Sequence, residues 1–489
     1  MTAVPRVLAK AALALLACGA AAGCAVGPDF ERPAAPVSTR YLSRDEDAAA
    51  PDPQQQVAVM AMPVSARWWT RFGSGALDKA VQRALVRNGT LQAAESTLRE
   101  SEELPAAGRG AFYPSVGLDV SAQRIRPAPV QQGSAAQVEP FSVLSASSVV
   151  TFPLDVFGGR RRAVEGLAAQ ADLQRYEAAA ARVTLAADVV DTVIARAAHR
   201  AARQATAELI ALEREQLRSV DAQVRAGTAA HSASLTLQSL IAGDEAALAA
   251  LDQRLSAASH QLAVLEGTPP SEFDEPELDF AALRLPMDLP LSLPSSLVRQ
   301  RPDILAAEAR LHAASANIGV ATAAMFPSFD IAGTYGAAGT GLATWFDPAG
   351  RFWSVGPALT LPLFQGGSLR HGRRAAIDAF EAQQAAYRQT VLAGLGEVAD
   401  ALAALRHDAQ AVRAQQAALD AAREALRLLR ASEGAGLVAF SDVLAADVAF
   451  HQAAIGLVQA QSVRYQDTVG LFAALGGGWW DTDAQGAQP

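Results

Sequence analysis

The chain has 489 residues, about half of them apolar, and a formal net charge of −9. No basic cluster is large enough to indicate a nucleic-acid partner. Serine-hydrolase, nucleotide-binding and metal-ligating motifs do not occur in the sequence, so neither an enzyme nor a cofactor is predicted. Beyond the N terminus, no run of ~18 uncharged apolar residues indicates a membrane-spanning helix.

Residues 1–23 are typical of a signal peptide. Arg6 and Lys10 precede an apolar stretch, residues 11–22, that is too short to span a membrane. This pattern predicts export from the cytoplasm. At most one cysteine remains in the mature chain, which excludes a disulfide framework.

Cys24 is the predicted lipidation site, because it follows the small residues Ala22 and Gly23 at the end of the signal. Cys18 is a rival site, and an ordinary cleaved signal with an incidental cysteine stays open. Ala25 follows Cys24. Since aspartate at that place would favour retention in the inner membrane, alanine fits sorting to the outer membrane.

The first half of the chain combines helical and strand periodicity. Residues 24–75 are rich in proline and alanine and predict a lipid-anchored tether with an equatorial segment, one packed against the body of the protein. The first repeat, residues 76–267, comes next. Its periodicities predict a helix at 76–107 that Pro105 and Gly108 end, strands at 112–123 and 141–154, a long helix at 160–226 and a return helix at 228–266.

The second half repeats this order after a proline-rich linker, residues 268–295. The second repeat, residues 296–475, predicts a helix at 296–324, strands at 328–336 and 352–363, a long helix at 368–434 and a last helix at 440–475. A tail, residues 476–489, follows. Pro357 inside the fourth strand argues against a regular central strand.

Four landmarks recur in the same order at an offset near 210 residues, which indicates a duplication. At ~1.5 Å per residue each long helix is roughly 100 Å long, and the two shorter helices of a repeat together nearly match it. The matched landmarks are Phe-Tyr-Pro-Ser at 112–115 with Phe-Pro-Ser at 326–328, Thr-Phe-Pro-Leu at 151–154 with Thr-Leu-Pro-Leu at 360–363, Gly-Gly at 158–159 and 366–367, and Gly227 with Gly436.

The four predicted strands are too few to close a barrel, for which ~8 is the smallest common number. Their alternation of polar and apolar residues is typical of a wall between water and lipid. Open sheet edges are not tolerated in lipid, so the strands predict an oligomer. A trimer is compatible with symmetric closure, although the sequence does not fix the number. The alternative is a soluble two-domain coiled-coil protein with β-hairpins at its ends.

Six segments spread over the whole chain carry a family resemblance: GCAVGPDF at 23–30, FPLDVFGGRR at 152–161, LPS at 293–295, RQRPDI at 299–304, ANIGVA at 316–321 and ALGGGW at 474–479. They resemble the TolC-like outer-membrane channels, in the lipoprotein branch typified by OprM and the NodT-type efflux proteins.

The resemblance implies an α+β membrane protein that forms a homotrimer. Four strands per chain would build a 12-stranded β-barrel surrounded by outer-membrane lipid, and the long helices would build a periplasmic α-barrel. The implied partners are a periplasmic adaptor (membrane fusion) protein and an inner-membrane pump of the resistance–nodulation–division type. The channel would be a passive exit duct for small molecules, with the energy supplied by the pump.

The resemblance also implies a periplasmic gate early in the last helix, just after the glycine turn. The first acidic position of the family's gate falls on Asp442, while the second falls on Ala445, so the chain departs from the family pattern there. The gate candidates are therefore Asp442 and its apolar neighbours Phe440, Val443 and Leu444. An acid at a helix N terminus also fits a capping role, and both interpretations stay open.

Two sets of residues admit two interpretations each. The arginines at 160–162 begin a helix against the preference of its dipole, and they fit either a phosphate contact or a solvated junction between sheet and helices. The tryptophans at 68–69, 353 and 479–480 fit either an interfacial belt or packing in a belt around the helical tube. The second interpretation is the expectation for the first and last pairs, because they lie outside the strands.

Two other functions stay open beside small-molecule export. The same fold serves protein export in type I secretion, and a structural coiled-coil lipoprotein would space the outer membrane from the cell wall. The predicted lipid anchor and the OprM-like motifs favour small-molecule export.

Overall fold

The computed structural model describes residues 25–42, 56–60, 62–126, 128, 139–274, 278–345 and 347–480. The predicted signal peptide, Cys18, Cys24 and residues 481–489 lie outside these ranges. The chain divides into two compact units. The sheet unit comprises Met1–Pro33, Leu98–Gln174 and Ala307–Tyr387, and the helical unit comprises Ala34–Thr97, Arg175–Ala306 and Arg388–Pro489.

The described residues form six strands and eight α-helices. The strands are β1 (Val57–Met60), β2 (Ser115–Ile125), β3 (Phe141–Leu154), β4 (Asp288–Leu291), β5 (Ser328–Gly339) and β6 (Arg351–Thr360). The helices are α1 (Gly75–Arg87), α2 (Gly89–Arg109), α3 (Gly159–Arg225), α4 (His231–Leu265), α5 (Pro294–Leu297), α6 (Pro302–Ala323), α7 (Ser368–Gly434) and α8 (Phe440–Ala474).

The duplication predicted from the sequence is present in the helices. The long helices α3 and α7 have 67 residues each, and the return helices α4 and α8 have 35 each. Gly227 and Gly436 take φ values of +74° and +73° in the turns between them. A left-handed conformation at this place is favourable for glycine and ends a helix.

The predicted helix at 76–107 is wrong in two respects. Asn88 has an extended conformation and divides it into α1 and α2, where its side-chain Oδ1 accepts from the backbone N–H of Leu91 (3.0 Å) as an N-cap. Pro105 and Gly108 do not end α2, which continues to Arg109. A proline removes only one backbone hydrogen bond, and Pro105 is buried in packing that keeps the helix intact.

The linker and the tether are also more ordered than predicted. β1 from the tether pairs in parallel with β4 from the linker, with Val57 opposite Asp288 and Met60 opposite Leu291. The tether contains a 3-10 helix, Trp68–Phe72, as well. Both strands have four residues and pair across more than 200 positions, so local periodicity does not indicate them.

The core of the helical unit is built on aromatic side chains. Trp68 is 1 % exposed and stacks on Phe472 of α8 at 5.1 Å between ring centroids. Trp69 is buried beside it. Among the described helices, α8 alone has the length and hydropathy of a membrane span. The aromatic stack explains part of that apolarity by packing, and Trp68 and Trp69 lie in the core of the helical unit.

The sheet unit holds one antiparallel sheet of four strands in the order β2-β3-β5-β6. Its strands have 10 to 14 residues, enough to span a bilayer, which takes ~9–11. Pro357 lies in β6, opposite Ile331. Within the single chain β6 is at the end of the sheet, where proline is tolerated.

Replacing Trp68 by alanine is expected to destabilise the helical unit by about 3–5 kcal/mol, the range for removing a large buried aromatic side chain. Val86, on α1 of the same unit, is 72 % exposed, and Val86→Ala is the matched control with little expected effect. Thermal and denaturant unfolding of the purified protein in detergent measure both. Equal stability of the two variants would contradict this account of the core.

Candidate functional site

The register of the sheet separates its residues into two faces. Paired residues of neighbouring strands share a face, and successive residues alternate between faces. One face is apolar apart from Ser148 and the Tyr335 hydroxyl, except toward one end of the sheet, where it carries Arg124, Ser142 and Arg351. Its members are Val116, Leu118, Val120, Ala122, Arg124, Ser142, Leu144, Ala146, Ser148, Val150, Phe152, Leu154, Phe329, Ile331, Gly333, Tyr335, Ala337, Gly339, Arg351, Trp353, Val355, Pro357 and Leu359.

The opposite face is mostly polar or small. It carries Ser115, Gly117, Asp119, Ser121 and Gln123 of β2, and Ser145, Ser147, Asp330, Thr334 and Ser354 of the other strands. Ser121 and Ser145 are joined by a hydrogen bond between their hydroxyls (2.8 Å). A sheet with one apolar and one polar face is the pattern of a wall between lipid and water.

The apolar face is exposed in the single chain. Leu118 is 76 % exposed, and Trp353 and Tyr335, which are cross-strand neighbours, are 73 % and 61 % exposed. Exposed apolar surface of this extent marks a membrane or protein contact. The Trp353–Tyr335 pair fits the aromatic belt predicted for Trp353.

The two ends of the sheet, β2 and β6, each pair with one neighbour among the described residues. Each therefore presents a row of backbone N–H and C=O groups along its outer side. Such edges cannot face hydrocarbon, because unpaired backbone groups are costly there. The sheet is therefore incomplete as a membrane structure.

Residues 25–32, here called the N-terminal clasp, lie against the start of α3 and the end of α6 within the sheet unit. The backbone N–H of Val26 donates to the carbonyl oxygen of Phe157 (3.0 Å). Gly27 has φ +97°, and a Cβ on it would lie 2.5 Å from the Cα of Gly319. Only glycine fits this close contact between backbones. Together with the Val26 hydrogen bond, it holds the clasp where β3 passes into α3.

Arg162 is buried beneath the clasp. Its guanidinium donates to the carboxylates of Asp29 (2.6 Å) and Glu165 (2.8 Å). Phe30 stacks on His312 at 4.4 Å between ring centroids, and the His312 Nε2 lies 3.0 Å from Glu165 Oε1. Ion pairs and stacking thus fasten the clasp to two helices.

Arg160 and Arg161 begin α3, where a helix dipole disfavours basic side chains. The carboxylate of Asp155 accepts from both of their backbone N–H groups (2.9 Å each) and from Arg161 Nε (3.2 Å). An acidic cap therefore compensates for the basic first turn. Arg162 next to them is buried, so the junction is ion-paired within the chain rather than solvated.

Asp442 lies in the first turn of α8 and is exposed. Its Oδ2 accepts from the backbone N–H of Ala439 (3.2 Å), which satisfies an otherwise unpaired donor at the helix start. The structure therefore gives Asp442 the capping contact, and its role in a gate stays a prediction.

Phe440 and Leu444 line one side of a cavity of about 580 Å³. The end of α3 and the start of α4, which form a helical hairpin, line the other side. Leu444 packs there against a small core that includes Leu237. Val443 is instead 7 % exposed and packs against Leu426 of α7. The structure therefore gives Val443 a packing contact, and its role in a gate stays a prediction.

Arg301 is a structural residue to which the sequence reasoning gave no role. Its buried guanidinium donates to the carbonyl oxygen of Ala474 (2.9 Å) and to the carboxylates of Asp303 and Glu397 (2.7 Å each). This one guanidinium therefore joins the start of α6 to the middle of α7 and the end of α8. The Arg-Pro-Asp motif before a helix was visible, but its distant partners were not.

The family model described as outer membrane efflux protein matches residues 80–268 and 293–477, once for each repeat. The chain belongs to the outer membrane efflux protein family. It is an outer-membrane channel component of an efflux system with the TolC-like fold, and this family is not one of enzymes.

Relatives of this efflux protein align over most of the chain. The pyoverdine export outer membrane protein OpmQ of Pseudomonas putida is 30 % identical over 84 % of this chain and 88 % of its own length. OprJ of Pseudomonas aeruginosa is 30 % identical over 93 % of both. The solved outer-membrane channel OprN superposes with a TM-score of 0.82 at 26 % identity, over 93 % of this chain and 100 % of its own.

Three carboxyl groups on the long helices of this efflux protein are buried or part-buried and lie near other carboxylates. Burial raises the pKa of Asp191 to about 7, and repulsion from Asp188 and then Asp467 adds to the increase. Burial likewise raises the pKa of Glu213 to about 7, next to Asp244, and of Asp408 to about 7, next to Asp467. Each holds its proton in the folded state at a pH where the unfolded chain has lost it.

Asp191→Asn is therefore expected to stabilise the protein at alkaline pH. A pKa raised on folding contributes stability that is complete below about pH 4 and is lost as the pH rises to about 7. Asparagine carries no charge at any of these pH values, so it does not lose this stability. We expect its free energy of unfolding at pH 8 to exceed that of the parent by roughly 1–2 kcal/mol, after allowance for solvent screening. Unfolding measured at pH 8 and at pH 4.5 should show a gain that shrinks on acidification.

Glu215→Gln, an exposed change on the same helix, serves as the control and should show no such trend. A parent protein as stable at pH 8 as Asp191→Asn would contradict the buried-carboxyl account.

Proposed function

We propose that this chain assembles as a homotrimer and serves as the passive exit duct of a tripartite efflux system for small molecules. The observation that carries the proposal is the four-stranded sheet, with its exposed apolar face and its two unpaired edges in the described chain. Pairing of β6 with β2 of the next copy removes both edges and places the apolar face in lipid. Three copies give twelve strands, above the ~8 needed for a barrel.

The partners in this proposal are a periplasmic adaptor protein and an inner-membrane pump of the resistance–nodulation–division type. The chain itself has no nucleotide-binding motif, so the energy for transport must come from another component. A relative named for the export of pyoverdine supports a small molecule as the cargo. A protein cargo, as in type I secretion, is the second candidate.

Reconstitution of the purified protein in a planar bilayer tests the duct. The proposal predicts steady conductance without nucleotide or a proton gradient, because an aqueous passage needs no energy input. The absence of conductance in bilayers that contain verified trimers would favour a structural lipoprotein instead.

Deletion of the gene tests the cargo. It should sensitise cells to small toxic compounds while leaving protein secretion intact, and the reverse result would favour type I secretion.

We propose further that the chain is lipid-anchored at Cys24. The clasp that begins at Ala25 is fixed where β3 passes into α3, at the end of the lipid-exposed sheet. A lipid attached one residue before Ala25 would enter the membrane beside that end. A lipid on Cys18 would be separated from the clasp by six further residues of the sequence.

Cys24→Ser is expected to abolish incorporation of labelled palmitate and to lower the mass of the mature chain by the mass of the lipid. Cys18→Ser is the matched control and should leave both unchanged. Mass spectrometry of the mature N terminus reads out both variants. A lipid that remains on Cys24→Ser would place the modification elsewhere.

We propose that the start of α8 narrows the periplasmic end of the duct, with Asp442 and the part-buried Phe440 and Leu444 as the residues concerned. Asp442 is exposed, so three copies around an axis would bring three carboxylates together. Like charges at close range repel and attract cations. The capping bond to Ala439 fixes the helix start that presents the carboxylate.

Asp442→Asn and Asp442→Ala separate the gate from the cap. Asparagine retains a side-chain oxygen for the Ala439 N–H but removes the charge, whereas alanine removes both. A gate role predicts weaker block by divalent cations in both variants, measured on single channels in a bilayer. Unchanged block in Asp442→Asn, with or without an effect of Asp442→Ala, would leave capping as the function of this side chain.

A further inference from the structure

Each helix that leaves the sheet packs against the helix that enters the neighbouring strand. β3 and β5 are neighbours, α3 leaves β3 and α6 enters β5. A Cβ built on Gly166 of α3 would lie 3.7 Å from the Cβ of Ala316 of α6, and the Arg162 side chain lies against Gly319. The order of the strands therefore decides which helices are in contact.

The other neighbouring strands obey the same rule. β5 and β6 are neighbours, and Arg373 Nε of α7 donates to Thr322 Oγ1 of α6 (3.2 Å). β2 and β3 are neighbours, and Gly108 of α2 lies against Leu167 of α3. All these contacts are within the sheet unit.

The rule leaves one pair of helices to be joined between copies. α7 leaves β6 and α2 enters β2, and these two strands are at opposite ends of the sheet. If β6 pairs with β2 of the next copy, as in the proposed homotrimer on which this inference rests, α7 of one copy must lie beside α2 of the next.

The internal repeat identifies which residues meet there. The glycine pairs at 158–159 and 366–367 relate α3 to α7, and this relation carries Gly166 to Arg374. The Pro-Ser pairs at 327–328 and 114–115 relate α6 to α2 and carry Ala316 to Glu103. The contact between Gly166 and Ala316 of the α3–α6 pair therefore corresponds to Arg374 of one copy and Glu103 of the next.

The two residues have opposite charges and are available. Arg374 and Glu103 are both exposed, and neither has an ion-pair partner among the residues that the structure describes. Their surroundings continue the complementarity, with the exposed Arg370 one turn from Arg374 and the exposed Glu102 beside Glu103. Side chains that are small or neutral in the first contact are thus replaced by opposite charges in the second.

We propose that Arg374 and Glu103 form an ion pair between adjacent copies of this chain, at the junction of the sheet and the helices. Contact of α7 with α7 would place Arg374 beside Arg374, and contact of α2 with α2 would place Glu103 beside Glu103. The ion pair therefore favours the arrangement in which β6 of one copy meets β2 of the next. The surface that carries Arg374 is therefore a subunit interface whose partner is a second copy of the chain.

Glu103→Cys combined with Arg374→Cys tests the contact directly. The corresponding Cβ separation of 3.7 Å in the α3–α6 pair is close to the ~3.8 Å of a disulfide. Mild oxidation of the full-length protein in membranes should give covalent dimers and trimers on denaturing gels that reductant reverses. Glu103→Cys with Glu381→Cys, two turns further along α7 and about 10 Å away, is the control and should not cross-link.

Charge exchange tests the pairing itself. Arg374→Glu and Glu103→Arg should each lower the temperature at which the oligomer dissociates in mild detergent, and the double exchange should restore it. Light scattering of the parent separates the two proposals. A parent that is monomeric overturns the homotrimer, whereas a conducting trimer that neither cross-links nor shows rescue overturns the Arg374–Glu103 pair alone.

Discussion

The structure depends on one constraint, which is the requirement that every backbone hydrogen-bonding group of a lipid-exposed strand be paired. One chain supplies four such strands and leaves the outer sides of β2 and β6 without partners in the described residues. In the proposed homotrimer, closure between copies would remove that cost, and it would fix the contacts between helices as well. The strands continue directly into helices, so the pairing that closes the sheet also decides which helices lie side by side around the duct.

The junction between sheet and helices is stabilised within each chain before any copy meets another. Arg162 is buried between Asp29 and Glu165, and Gly27 allows the clasp to touch the backbone at Gly319. These contacts hold residues 25–32 at one end of the sheet. A lipid on the preceding residue would then act at a defined height, where the apolar face ends. Anchor and sheet would specify the same membrane position.

Much of this architecture was predictable because it is periodic. β3 and α7 have the predicted bounds, 141–154 and 368–434. Alternation in the strand and a proline-free 3.6-residue period in the helix each extend over many residues. Features that depend on distant partners were not predictable. β1 and β4 pair across the whole first repeat, and Arg301 reaches α7 and the end of α8. The break at Asn88 was missed because the helical apolar spacing continues across it, from Ala84 to Leu91.

The candidate gate shows the same limit. The position of Asp442 after the glycine turn was visible in the sequence, but whether Val443 faces a passage or the core depends on how α8 is rotated against α7. The most direct test of the account is the mass of the detergent-solubilised particle by native mass spectrometry. The account predicts three copies of the chain and no larger series. A stable monomer, with its two sheet edges still unpaired, would contradict it.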